Sequence, residues 1–168
     1  MYQVGELVVY GVHGVCRIVG QEEKRVDRKN VTYLVLEPVT SAGSRFLVPS
    51  QSAAALGKLR PVMTAEAFEE LLSSPDASRD LWIKEDGRRK QAYRELIGSG
   101  DPVRLAGLVS TLYRHKARQI AAGKKVHQSD DNFLRDAERL LIVEASIVHG
   151  MELDQAKTYI RGKLKEDA

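Results

Sequence analysis

Cysteine occurs once in these 168 residues, at Cys16, and tryptophan once, at Trp82; there are four histidines, five prolines and three phenylalanines. A lone thiol excludes an internal disulfide, and no Cys or His pair stands at zinc-ligand spacing. The opening MYQVGELVVYGVHG has neither a basic leader nor an uninterrupted apolar run, so the expectation is a cytoplasmic protein with no membrane span. The GKKVHQS stretch (residues 123–129) lacks the upstream glycine and the strand-to-helix setting of a phosphate loop. His13 and Cys16 are the nearest approach to a thiol nucleophile. On one strand a separation of three would point them to opposite faces, and Gly14 between them suggests a turn. The pairs Glu22, Glu23 and Glu69, Glu70 are adjacent in sequence and do not converge. No constellation argues for an enzyme, a cofactor or a metal, and the expected class is a binding module.

What the chain does have is a globular composition, 43% hydrophobic, and an uneven distribution of charge around a net +3. Between Arg79 and Lys125 twelve Lys/Arg face five Asp/Glu, a balance of +7; from Ser129 onward the balance is −3. Basic charge gathered in one middle segment is the footprint expected for a polyanion, although solvated helix faces give the same count.

The hydrophobic period changes near Pro61. Before it, ELVVY, GVCRIVGQEE, VTYLVLEPV and SRFLVPS are short β-branched and aromatic runs, separated by turns at Gly11–Gly14, Arg25–Asn30 and Thr40–Gly43. They predict a small antiparallel barrel or strongly bent sheet over residues 1–61. Beyond it the period is helical. Thr64 caps a helix to Ser73, Asp101 and Pro102 start one that ends near Gly123, Ser129 caps one running to Gly150, and a last helix follows with Leu153, Ala156, Ile160 and Leu164. Residues 62–168 are thus predicted to form a bundle of four or five helices. On the helix after Asp101, Val109, Leu112, Tyr113 and Ile120 mark an apolar face; Arg104, Thr111, Arg114, His115 and Arg118 fall in roughly a 100° sector opposite. The fold class is α+β with two domains.

These residues resemble a family. Val4-Gly5 followed by Val8-Val9-Tyr10, His13-Gly14 in a turn, Tyr33 to Leu36 in a strand and Val48-Pro49 closing one are similar to the amino-terminal module of the CarD/CdnL transcription regulators, shared with transcription-repair coupling factors. Arg88-Arg89 followed by SGD at residues 99–101 extends the likeness over nearly the whole chain. The resemblance implies a Tudor-like (SH3-like) barrel that docks on the RNA polymerase beta subunit, largely by strand addition. Lys24 and Arg25 then supply basic contacts, and Leu47, Val48 and Pro49 lie at the docking strand, with Leu47 where some members carry arginine. It further implies a helical domain that contacts promoter DNA at the upstream edge of the transcription bubble and stabilises the open complex. There a tryptophan acts as a minor-groove wedge and basic residues hold phosphates.

For this chain that gives Trp82, Arg88 and Arg89, with Arg114, Arg118, Lys124 and Lys125 as further phosphate contacts. Bare-DNA affinity is expected to be weak and sequence-independent, and the protein a monomer, with a strand-swapped dimer as the alternative. One departure stands out: the family tryptophan precedes the arginine pair by two residues, whereas Trp82 precedes Arg88 by six and Asp86 fills the family position. Either one helix runs from Trp82 through Leu96 and puts Trp82 and Arg89 on a common face, or Asp86-Gly87 breaks it. Trp82 reads equally as an exposed wedge or as a core anchor. In the second case the helical domain binds a protein instead of DNA. An enzyme with an unrecognised site is the remaining alternative.

Overall fold

A computed structural model describes residues 2–166 and separates into two compact units, with the division between Val62 and Met63. The first is a five-stranded antiparallel sheet with β1 (Leu7–Tyr10), β2 (Val15–Val26), β3 (Lys29–Pro38), β4 (Phe46–Pro49) and β5 (Leu59–Pro61) in the order β4-β3-β2-β1-β5. A four-residue helix, α1 (Ala53–Leu56), capped by Ser52, links β4 to β5. Period-two spacing sends Cys16 and Ile18 of β2, and Leu34 and Leu36 of β3, to one side. There they join Val8, Val48 and Leu59 in a core to which all five strands contribute. Neither β5 nor α1 is predicted by the pattern: β5 is three residues long and ends in a proline, which an edge strand tolerates because its missing N–H faces outward.

The hairpin between β2 and β3 is longer than expected. Its ladder runs on to Val26 opposite Lys29, so the turn is only Asp27 and Arg28, at φ of 49° and 65°. A two-residue turn of this hand matches the twist of the strands, but it normally announces itself through Asn-Gly or Asp-Gly. Residues 23–30 are exposed, so this end of the ribbon projects beyond the core.

The second unit is helical: α2 (Ala65–Ser73), α3 (Asp86–Ser99), α4 (Pro102–Ala121), α5 (Gln128–His149) and α6 (Leu153–Glu166). Thr64 and Asp101 cap α2 and α4 as their residue types predict, each accepting backbone N–H bonds from the first turn. The expected Ser129 cap is corrected: α5 starts at Gln128, two residues earlier than that cap implies, His127 holds the cap position, and Ser129 lies within the first turn. Asp130 lies in this first turn and is buried inside the bundle.

The two-faced reading of α4 is corrected as well. Every residue from Leu105 to Tyr113 is buried, because a short 3₁₀ turn (Pro75–Ser78) and the extended chain after it lie across the first half of the helix. Apart from Arg104 at its start, the helix presents a polar face only in its second half, from Arg114.

Candidate functional site

Trp82 belongs to the extended chain between the 3₁₀ turn and α3. The Asp86-Gly87 alternative is the correct one, since α3 begins at Asp86 with Glu85 as its cap, accepting from the N–H groups of Gly87 and Arg88 at 3.0 and 2.7 Å. Those two bonds hold the Glu85 carboxyl below its ordinary pKa. Trp82 therefore does not share a helix with Arg89, and the seven-residue phase relation does not exist.

Side chains of α4 fix the segment instead. Ser110 donates to the Ala77 carbonyl at 2.6 Å; the Thr111 hydroxyl contacts the carbonyls of Arg79 and Gly107 and accepts the Leu81 N–H at 2.9 Å. Gly107 makes this approach possible, for a Cβ there would stand 3.1 Å from the Asp76 carbonyl and 3.2 Å from Leu81 Cδ1. From the other side the buried Tyr93 hydroxyl donates to the Leu81 carbonyl. Burial pushes that phenol up to about 12, so it remains a donor at any physiological pH.

On this base the Trp82 ring is stacked on His115 of α4, with ring centroids 3.5 Å apart and planes 17° from parallel. The Arg89 guanidinium lies 4.5 Å from the Trp82 centroid, within cation–π reach. His115 is partly buried, which lowers its pKa and keeps the ring neutral at pH 7. Trp82 is itself partly buried, packed against the helical core without being enclosed by it. The wedge-or-anchor alternatives thus resolve into a ring that is anchored by stacking and still reaches the surface.

Arg89 is the main correction among the expected site residues. It is 3% exposed, and all five of its N–H donors are engaged: Nε and Nη2 with Asp130, Nη2 also with Asp86, and Nη1 with the carbonyls of Ile83 and Lys84. It has neither surface nor donors to offer a phosphate. What it does is join the start of α3 to the start of α5 beneath Trp82. Arg88, one residue earlier, is exposed, as are Lys124 and Lys125 in the turn leading to α5.

Arg114 and Arg118 extend the polar side of α4 beyond His115, and the Arg118 charge still acts on that ring. They border a cleft of about 620 Å³ between α4, α5 and α6. Its α4 wall includes Tyr113, Ala117 and Ile120, roughly 140–160° around the helix from His115. Arg118, about 60° from His115, and Arg114, about 100° from it, thus stand between the His115 flank and the aliphatic wall of the cleft. Sequence reading passed over His115, although its place beside Arg114 on the polar sector was a signal; it also passed over Thr111 and Gly107 as supports.

In the sheet unit Lys24 and Arg25 are exposed near the hairpin end. Val48 is corrected: at 1% exposure its side chain belongs to the core, and its backbone faces Leu34 of β3, so it offers a partner neither. Leu47 and Pro49 lie on the other face of β4 and are partly exposed. The Ser50 N–H bonds the Thr32 carbonyl, and antiparallel bonding alternates along the ladder. The N–H and C=O of Leu47 consequently point away from β3, toward the free edge of the sheet.

Residues 2–63 match the CarD-like/TRCF RID domain, a Tudor-like module, and residues 69–161 match the CarD C-terminal domain. Domains of this kind are non-enzymatic regulators. Among the described residues no helix is long and apolar enough to cross a membrane. With two family matches in the expected order over nearly its whole length, the chain belongs to the CarD family of RNA polymerase-interacting transcription regulators.

Proposed function

We propose that the sheet unit docks on the RNA polymerase beta subunit along the free edge of β4, and that the helical unit meets promoter DNA at the upstream edge of the bubble and stabilises the open complex. The observation that carries the DNA half is the Trp82–His115 stack, a rigid aromatic surface with an exposed Arg88 and the Lys124-Lys125 turn at the same end of the bundle. A fixed, partly exposed indole can wedge against a distorted base step without losing side-chain entropy on binding, while the exposed cations neutralise phosphate. The docking half is supported by the outward-facing backbone of Leu47, which offers a strand-addition register, and by the basic hairpin end with Lys24 and Arg25.

The protein works as a monomer whose two weak contacts reinforce each other on the polymerase–promoter complex. Binding to DNA alone is weak, indifferent to sequence and strongly salt-dependent. The deciding measurement is the lifetime of promoter open complexes with no factor, with wild type and with Trp82→Ala. Wild type lengthens it; the variant binds polymerase equally well and does not. If wild type binds polymerase and leaves the lifetime unchanged, the DNA half fails while the docking half stands.

A further inference from the structure

The cleft on the far flank of α4 plays no part in that reading, yet its chemistry is selective. Ala117 and Ile120 of α4 and Leu134 of α5 give it an aliphatic lining, and Ile120 is 62% exposed. Five of its ten lining residues are cations, against a single carboxylate, Glu138. That carboxylate is already committed: it accepts from the Tyr113 hydroxyl and from Nε and Nη2 of Arg161 at 3.1 and 2.9 Å. Lys116 is paired with Asp131 at 2.7 Å. Arg114, Arg118 and Lys165 remain, and Arg114 Nη2 is shut off from solvent with no hydrogen-bond partner. A guanidinium donor held dry and unbonded is a costly feature that an incoming anion would relieve.

We propose that this cleft binds an acidic amphipathic segment of a partner protein, with an aliphatic side chain seated between Ala117, Ile120 and Leu134 and carboxylates meeting Arg114, Arg118 and Lys165. The shape and lining favour a peptide over a nucleic acid. A duplex is convex and is met by protruding cations, and an unpaired base needs an open aromatic face on which to stack. The one aromatic residue in the cleft, Tyr113, is 6% exposed and has the Lys165 ammonium 5.0 Å from its ring centroid. A concave aliphatic strip rimmed by cations is instead what the helix-in-groove mode of recognition requires. The proposal does not depend on Trp82 touching DNA.

The test is a fluorescence-anisotropy titration of the full chain with a labelled helical peptide of about 18 residues, carrying leucine at i, i+3, i+4 and i+7 and glutamate elsewhere. Its comparators are the same peptide with lysine for glutamate and a labelled DNA duplex. The acidic peptide binds saturably and the lysine peptide does not. Ile120→Ser and Arg118→Glu, both at exposed positions that leave the fold intact, each weaken it about tenfold or more, whereas Trp82→Ala leaves it unchanged. Absence of saturable binding by the acidic peptide, or binding indifferent to Ile120→Ser, overturns the proposal. So does a duplex that competes for the cleft and is weakened by the same two variants, which would make this flank a nucleic-acid surface.

Discussion

The two units solve the problem of presenting a surface in different ways. Among the described residues, every buried polar or charged side chain lies in the helical unit: Arg89, Ser110, Thr111, Asp130, Glu138 and Glu144. The sheet unit has none. Its ladder satisfies the backbone, its core is aliphatic apart from the Cys16 thiol, and burial raises that thiol to about 11, which leaves it unreactive. In the docking proposed above, what it offers a partner is backbone along an edge, and this requires only that the strand be held in place. The helical unit must hold an irregular segment, residues 76–85, at a defined height over α4. Irregular chain has no ladder of its own, so buried hydroxyls and a buried arginine take over that duty. Specificity in the first unit is thus a matter of register, and in the second of a polar framework inside the bundle.

This contrast is sharpest at the adjacent arginines. Arg89→Ala removes one partner of a buried pair and strands Asp130, which is 4% exposed; the expected loss is about 3–5 kcal/mol of unfolding free energy. Arg88→Ala should stay within about 0.5 kcal/mol. Chemical denaturation followed by circular dichroism measures both, and equal effects would remove the framework role assigned to Arg89. In the sheet unit the paired comparison is Val48→Ala against Leu47→Ala. The first opens the core and costs about 2 kcal/mol; the second costs less than half of that while weakening polymerase binding. A Leu47→Ala variant that binds polymerase like wild type would confine the docking role to backbone or move it elsewhere.

The smallest effect expected concerns His115. Burial depresses its pKa in the folded protein below the ordinary 6.5, with Asp130 opposing and Arg89, Arg118 and His127 adding to the depression. The unfolded chain therefore takes up the proton first, and the contribution of this residue to stability, intact above about pH 6.5, is lost as pH falls through the folded pKa. Trp82 emission, quenched by a stacked imidazolium, should drop with a midpoint below 6.5. His115→Gln should abolish the transition; if the transition persists, the stack is not what Trp82 reports.

Much of this was legible from residue order. Period-two runs with β-branched residues became β1 to β4, and Thr64 and Asp101 each cap the helix they precede. The α+β division follows from the same local signals, and the Tudor-like class from the resemblance to the family. Less legible were the features set by long-range partners. The Asp27-Arg28 turn is dictated by strand twist despite its residue types, and Asp130 is buried against Arg89, 41 residues away. The two arginines of the pair look alike in sequence and differ only in what surrounds them.

The sequence by itself determined the elements, because hydrophobic period and caps are local properties that act before the chain is folded. Only the tertiary structure decided which cations are free to bind and which are spent inside, and that Trp82 meets His115, 33 positions later, in place of the helical neighbours its spacing suggested. Burial and pairing belong to the whole fold: an arginine is a ligand-binding group or a strut according to whether the chain, once packed, leaves its donors in water.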